Sequence, residues 1–461
     1  MLVEGRAFSS RERSERKENR EIDELSLTPP EKVRKLQQTL HEKAKEQPTY
    51  RFYALYDKLY RMDVLCHAWA ICRHNGGKPG VDRETFEQIE REGVETWLQT
   101  VADELRGKTY EPEAVRRVYI PKPNGKQRPL GIPTIKDRVV QTAAVIVLSP
   151  IFEADLCDEQ YAYREGRSAH EAVKKIHHWI SRGHHEVLDA DLSGYFDTIP
   201  HADLIKSLAR RISDGTMLKL LKKWLRMPIE ETGPKGGRRR TNPARKTERG
   251  TPQGAPISPL LSNLYMRRFI LGWKKLGWEA KLGGRIVNYA DDFVILCQTG
   301  GHQAAEAMRS IMAKLKLTVN EEKTTVCQLP DEHFVFLGYQ IGRCYSERTG
   351  KAFWGTRPSR KSITHIKQEI TALTSSRRVL LAPEQVVGAV NRKLIGWGNY
   401  FKLGQASKAY RAVDNHTRQR LRQWLCRKHK RPGRGTKPYS FQYLTSELGL
   451  VTLQHRPRSY V

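Results

Sequence analysis

The segment "VNYADDFVIL", residues Val287 to Leu296, sets Asp291 and Asp292 side by side between two apolar runs. Carboxylates inside a stretch that otherwise favours buried strand need either a turn or a compensating charge. Aspartate suits hairpin tips, so an acidic turn accounts for the pair taken alone. A third carboxylate, Asp191, stands near the end of the short apolar segment "HEVLDADL" (185–192). Three carboxylates meeting at one point repel one another, and a divalent cation is what would hold them together. Mg²⁺ is small and hard and takes one or two carboxylates together with phosphate oxygens. Two such ions about 3.5–4 Å apart activate an attacking hydroxyl and stabilise the leaving oxygen of an in-line phosphoryl transfer. The residue types therefore point to metal-assisted phosphoryl chemistry, provided the fold brings Asp191 to the Asp291–Asp292 pair.

The elements around them supply a way to do so. "HEVLDADL" reads as a short strand, and "HADLIKSLARRISDGTMLKLLKKWLRM" is largely helical. "GRIVNYADDFVILC" is strand, tight turn, strand; "QAAEAMRSIMAKLKLTV" is helical with Met308, Ile311 and Leu315 on one face; "KTTVCQL" is a strand. The order β-α-β-β-α-β is that of the split βαβ, ferredoxin-like unit, which puts the end of the first strand beside the tip of the central hairpin. Upstream, "LTPPEKVRKLQQTLHEKAKEQ" predicts a helix on Val33, Leu36 and Leu40, and a further helix through Leu55, Leu59, Leu65 and Trp69 halts at Gly76–Gly77. A strand over Val115 to Ile120, a Pro-Asn-Gly turn, a second strand near Pro129 to Ile132 and a helix over Lys136 to Leu148 follow. The stretch "GPKGGRRRTNPARKTERG" (233–250) reads as a mobile basic loop near phosphates. After Trp354 the pattern is helical and basic, ending in a Pro/Gly-punctuated tail.

The whole chain carries 81 Lys and Arg against 51 Asp and Glu, a formal net charge of +30 over 461 residues. Self-repulsion of that size favours a polyanionic partner, with nucleic acid ahead of an anionic membrane surface. No apolar run approaches the roughly 18 residues of a spanning helix, and the N-terminus lacks a secretory signal. Residues 357–461 hold 22 Lys and Arg against 4 Asp and Glu, which marks a region suited to gripping RNA or DNA. The seven cysteines are scattered with no CxxC pair, against a zinc knuckle or a disulfide framework and consistent with a reducing cytoplasm. The first 25 or so residues are polar and nearly free of aromatics and are expected to be disordered.

"DLSGYFD", "GTPQGAPISPLLSNLYM", "NYADDFVI", "EEKTTV" and "FLGY" together resemble, in order, the polymerase motifs of a reverse transcriptase. "IPKPNGKQRPLGIPTIKDRVVQ" and "EGRSAHEAV" resemble the finger motifs of group II intron-encoded reverse transcriptases, and "LIGWGNYFKLGQ" resembles their maturase, or X, region. The resemblance runs from about Thr49 to Pro432. It implies an α/β (α+β) right-hand polymerase with a ferredoxin-like palm, fingers and a helical thumb. The expected divisions are a flexible extension and leading helix (1–48), fingers (49–184), palm (185–345), thumb or maturase domain (346–432) and a basic C-terminal tail (433–461).

Carried over motif by motif, the resemblance implies Asp191 and Asp291 as principal metal ligands and Asp292 as the third carboxylate, serving two Mg²⁺ ions with Mn²⁺ as a substitute. Phe196 resembles the aromatic gate beneath the incoming sugar, although core packing at a strand-to-helix turn explains its spacing equally well. Lys122 and Arg128 fit the pair that grips the nucleotide triphosphate, where cations offset charge developing in the transition state. Gln253 and Gly254 of "TPQG" match the family's nucleotide-side glutamine and its close-approach glycine. Lys323 sits where polymerases often keep a lysine able to protonate the leaving pyrophosphate; a surface cation is the plain alternative. Arg164, Arg167, Arg411, Arg418 and Arg422 are the expected RNA contacts, whereas Trp397, Tyr400, Tyr410 and Trp424 read as core.

The finger motif departs from the family at Ala162 and Glu165, which leaves template contacts there open. No His-Asn-His segment with paired cysteines follows, so DNA insertion would use nicked or single-stranded targets. The implied partners are the intron RNA, a template RNA–DNA primer duplex, target DNA and deoxynucleoside triphosphates, with no membrane. The rivals are a retron, diversity-generating or defence-type reverse transcriptase, an RNA-binding splicing factor with an idle polymerase site, and a metal-dependent nuclease.

Overall fold

The computed structural model describes residues 27–121, 127–233, 237–252, 254–346 and 349–454. The expectations for the N-terminal 25 residues, Lys122, Gln253 and the extreme C-terminus therefore lie outside the described residues. The chain divides into two compact units. The first comprises the residues up to Arg164 with Leu192–Gly272 and Ile311–Thr318, and the second comprises Glu165–Asp191, Trp273–Ser310 and everything from Val319 on.

Eleven strands are formed among the described residues: β1 (Val115–Pro121), β2 (Gln127–Ile132), β3 (Glu186–Asp191), β4 (Ile229–Thr232), β5 (Arg238–Thr241), β6 (Arg285–Tyr289), β7 (Asp292–Cys297), β8 (Thr325–Gln328), β9 (His333–Phe336), β10 (Tyr339–Tyr345) and β11 (Ala352–Pro358). They make three sheets, ordered β2-β1-β4-β5, β6-β7-β3-β8 and β11-β10-β9.

In the first unit the helix Glu31–Glu46 buries Val33 and Leu40, as the spacing predicts. It is no separate extension. Gln37 donates to the carbonyl of Ile146 at 3.3 Å, which fastens it to the helix Ile135–Glu153. That helix starts on Thr134, whose side chain accepts from the Asp137 amide, and it runs past the expected end at Leu148. Its buried face of Val139, Val140, Ala143, Val147 and Ile151 keeps it going, so Pro150 does not stop it. The supposed mobile loop is a correction: β5 pairs with β4, Glu230 beneath Arg240 at 2.8 Å, and a short helix Pro243–Thr247 follows. A run of like charges forms a strand here because the neighbouring strand supplies a buried carboxylate, 7% exposed at its side chain.

In the second unit β3, β6, β7 and β8 form the four-stranded antiparallel sheet. Numbered within the motif, their spatial order is that of the ferredoxin-like unit. The helix Ala169–Ile180, capped by Ser168, presents Val173, Ile176 and Ile180 to the core. Beyond β8 the chain first builds β9–β11, so Trp354 lies in a strand and helix begins only at Arg360. The helices Arg360–Leu373, Pro383–Tyr400 and Ser407–Lys428 then share one core. Tyr410 and Trp424 are fully buried in it, as expected of core aromatics. Tyr439, Leu444, Leu450 and Leu453 join the same core, so the segment after residue 432 is packed structure rather than a tail. Asp414 secures its end, accepting from the backbone amides of Leu453 and Gln454 at 3.0 and 3.2 Å. One carbonyl ties several of these elements together: Tyr400 O accepts from the Tyr339 hydroxyl of β10, and His170 Nε2 lies 2.6 Å from it.

Candidate active site

Strand chemistry places the three aspartates. Val187, Leu188 and Ala190 of β3 and Phe293 to Cys297 of β7 are buried, which fixes the register of two strands far apart in sequence. In that register Asp191 is directly opposite Asp292. Directly opposed residues project to the same face with Cβ atoms about 5 Å apart. Tyr289 pairs with Asp292, leaving Ala290 and Asp291 as a two-residue turn. Ala290 has φ +60°, a conformation that favours glycine, and the buried Asn288 side chain holds it by donating to the Ala290 carbonyl at 2.9 Å. Asp191, Asp291 and Asp292 therefore share one end of the sheet.

Among the described residues no three His, Cys, Asp or Glu side chains close into a ready-made ion cage. Instead Asp191 Oδ2 accepts from Asn320 Nδ2 and from Lys323 Nζ, each at 2.9 Å. Lys323 is the residue expected at the leaving group, and its amine is held charged by that hydrogen bond and by the three carboxylates around it. The carboxyl of Asp292 is pushed up to about 6, first by the surrounding protein and then by Asp291 and Asp191, while Lys323 opposes the rise. Its side chain still opens to solvent on one side. Asp189, two residues back on the same face of β3, is pushed up to about 7 by burial, Asp292 and Asp191. Tyr400 is pushed up to about 12, chiefly by burial, with Tyr289 and Asp292 adding to it. Crowded, mutually repelling oxygen donors with access to solvent fit a hard divalent cation that keeps some waters and adds phosphate oxygens. Asp189 was missed by the sequence reading; its position two residues before Asp191 in "LDADL" was the available signal.

The first unit assembles other motifs. Phe196 is half-buried in the turn Tyr195–Thr198, and its carbonyl accepts from the Thr251 amide at 2.6 Å, so "YFD" and "GTPQG" lie together. Gly254 has φ +99°, and a Cβ there would stand 2.4 Å from the Gly131 carbonyl of β2. Arg128 is exposed on β2 opposite Ile120. A cavity of about 330 Å³ lies at this junction, lined by Arg117, Gly131, Asp197, Arg249 and Thr251.

The expected RNA-contacting arginines divide. Arg164 is a correction. Its side chain is 5% exposed, pairs with Glu153 at 2.5 Å and donates to the carbonyls of Cys157 and Gln160, so its donors are committed to the protein. Arg422 Nε donates to the Tyr439 carbonyl at 2.9 Å and Arg418 stacks over Phe441 at 5.1 Å, both fastening the C-terminal segment. Arg167 is half-buried and Arg411 is exposed.

A family model described as reverse transcriptase (RNA-dependent DNA polymerase) matches residues 120–341, and one described as the group II intron maturase-specific domain matches residues 363–440. Protein YkfC of Escherichia coli K12 is 32% identical over 387 residues, covering 75% of this chain and 98% of YkfC. The group II intron-encoded protein LtrA of Lactococcus lactis subsp. cremoris is 35% identical over 229 residues, covering 48% of this chain and 36% of LtrA. A putative COX1/OXI3 intron 1 protein of Saccharomyces cerevisiae is 27% identical over 333 residues, covering 61% of this chain and 38% of its own length. No helix among the described residues is long and apolar enough to cross a membrane.

Proposed function

The chain belongs to the family of group II intron-encoded reverse transcriptases and maturases and is an RNA-directed DNA polymerase, and from that premise we propose that Asp191, Asp291 and Asp292 are its catalytic metal ligands. The family works with divalent metal ions, and its maturase domain implies binding of intron RNA. Mg²⁺ is the ion the hard oxygen set favours; bound as a pair, it would activate the primer hydroxyl and stabilise the leaving pyrophosphate. The observation that carries the reading is the cross-strand register of Asp191 with Asp292, with Asp291 in the adjoining turn.

The protein's own groups divide the remaining work. Asn320 and Lys323 orient the Asp191 carboxylate, and the Lys323 ammonium is the proton donor for the departing pyrophosphate. Arg128, with Lys122, takes the triphosphate; Phe196 sits under the sugar; Gln253 and Gly254 contact the nucleotide or template backbone without reading its sequence. Arg167 and Arg411 contribute to RNA binding, with Arg418 and Arg422 at the border of that surface. The fingers, palm and thumb divide near residues 184 and 345, with the thumb continuing through the packed segment beyond 432. The biological sequence is binding of the intron RNA, assistance of its splicing, and target-primed copying into DNA.

Primer extension on an RNA template, with Mg²⁺ and deoxynucleoside triphosphates, tests the reading. Wild type extends, while Asp191→Ala and Asp291→Ala lose on the order of 10³-fold or more, the scale of removing transition-state charge stabilisation. Equal extension by wild type and Asp291→Ala would remove the site assignment. Equal absence of product would leave a splicing protein without polymerase action.

A further inference from the structure

The second unit carries a groove that the catalytic strand ends do not use. It encloses about 970 Å³ between strands β10 and β11 and the first turns of the helices Arg360–Leu373 and Ser407–Lys428. Six basic side chains line it, among them Arg343, Arg357, Arg360, Lys367 and Arg411, and among the described residues no acidic one does. Elsewhere on the surface some cations are paired within the protein: Arg309, Arg240 and Arg73 face Glu321, Glu230 and Glu90 at 2.7–2.8 Å. A cationic recess whose described lining holds no carboxylate favours an anion from outside.

The aromatic content says which kind of anion. Tyr345 and Phe353 line the same groove and are 59% and 38% exposed, so both rings are open to a ligand. The Arg343 guanidinium lies over the Tyr345 ring at 5.4 Å, which holds that ring as a flat platform. By strand alternation Phe353 and Arg357 project from one face of this hairpin, and Arg343 and Tyr345 from the other; the pair between Phe353 and Arg357, Gly355 opposite Gly342, carries no side chains. A phosphate-binding row beside exposed rings is the arrangement that holds unpaired nucleotides, whose bases stack while the backbone follows the charges. The groove's volume of about 970 Å³ has room for a few nucleotides. Neutral hydrogen-bonding groups, Gln340, Thr364 and Gln405, also line it and suit a ribose 2′-hydroxyl. Much of the lining, from Ile363 through Arg411, falls inside the maturase-specific match at 363–440.

We propose that this groove binds an unpaired segment of RNA, with bases stacked on Tyr345 and Phe353 and phosphates on the arginines and Lys367. It rests on the reading of the chain as an RNA-binding maturase and names where one strand of that RNA is held.

Binding measured in a chelator keeps the test independent of the catalytic metals. A labelled unpaired oligo(A) RNA of about ten nucleotides and a blunt RNA–DNA hybrid are titrated against the full chain. Tyr345→Ala and Phe353→Ala are each expected to weaken the single strand about 5- to 100-fold, the effect of losing one base–aromatic stack, and to leave the hybrid within about twofold. Tyr345→Phe keeps wild-type affinity, because the ring remains. Arg360→Ala lowers the slope of log affinity against log salt by about 0.7 for the single strand. Unchanged single-strand affinity in both alanine variants overturns the proposal, as does a parallel loss for the hybrid, which would make the groove a duplex track. Wild type that binds neither RNA would overturn the maturase reading with it, a different result from wild-type binding that the variants leave untouched.

Discussion

Asp189→Asn gives the sharpest test of the electrostatics at the strand ends. Folding raises this carboxyl from 3.8 to about 7, so the folded chain holds its proton more tightly than the unfolded chain does. The contribution therefore favours the folded state at pH below the unfolded value and is lost as pH rises through about 7. At about 1.4 kcal/mol per tenfold change in proton affinity, that rise corresponds to a ceiling of about 4 kcal/mol. Between pH 5 and pH 8 the change is about 2–3 kcal/mol by the same linkage, and about 2 kcal/mol after allowing for water and counter-ions at a half-buried group. Asparagine has nearly the same shape and cannot ionise, so the variant escapes this loss. Urea unfolding of wild type and Asp189→Asn in a chelator, followed at pH 5 and pH 8, reads the difference directly. The variant is expected to match wild type within about 1 kcal/mol at pH 5 and to exceed it by about 2 kcal/mol more at pH 8. Adding a divalent cation at pH 8 should narrow the gap, since it neutralises the neighbouring carboxylates. A stability difference that does not change between the two pH values would refute the reasoning.

Other residues make separate demands. Arg164→Ala leaves Glu153 without its partner and should cost about 2–3 kcal/mol in thermal or denaturant unfolding, while the salt dependence of RNA binding stays unchanged. A salt slope that drops instead would restore Arg164 as an RNA contact. Gly254→Ala forces a Cβ to within 2.4 Å of the Gly131 carbonyl, so primer extension should fall at least about tenfold with RNA affinity retained. Lys323→Ala should lower the single-turnover rate about 10²- to 10⁴-fold with nucleotide affinity little changed, and Lys323→Arg should recover part of it. An effect of the alanine variant on affinity alone would reduce Lys323 to a charge balancing Asp191.

The aspartate triad was legible because carboxylates stand out in apolar strands, and β-α-β-β-α-β order allows one pairing of β3 with β7 that buries both. Asp189 was not legible. Alternation puts it on the Asp191 face, but only the packed sheet shows how little water reaches it. Arg164 misled because an arginine in a Gly-rich finger loop looks available, and Glu153 lies eleven residues away in a helix. The basic stretch after residue 232 was read as loop because charge repulsion argues against a strand; a long-range partner, Glu230 on β4 with β1 beside it, reverses that balance. Similarly, the last segment looked like a tail because its apolar residues are sparse, yet Tyr439, Leu444, Leu450 and Leu453 are enough to fill a gap between helices. Local composition decides propensity, and partners distant in sequence decide these cases.

The Tyr400 carbonyl, which takes the Tyr339 hydroxyl and lies against His170, bears on how firmly the C-terminal helices are held to the rest of their unit. Two side chains from separate elements pin the last residue of the helix Pro383–Tyr400, so that end is a fixed pivot post rather than a flexible elbow. The connections on either side are tethered as well: Lys428 Nζ donates to the Val379 and Leu381 carbonyls at 3.1 and 2.9 Å, and the Gln405 amide donates to the Thr356 carbonyl at 2.8 Å. With the helix end and both connections anchored, a load on any one of these elements is shared by the others.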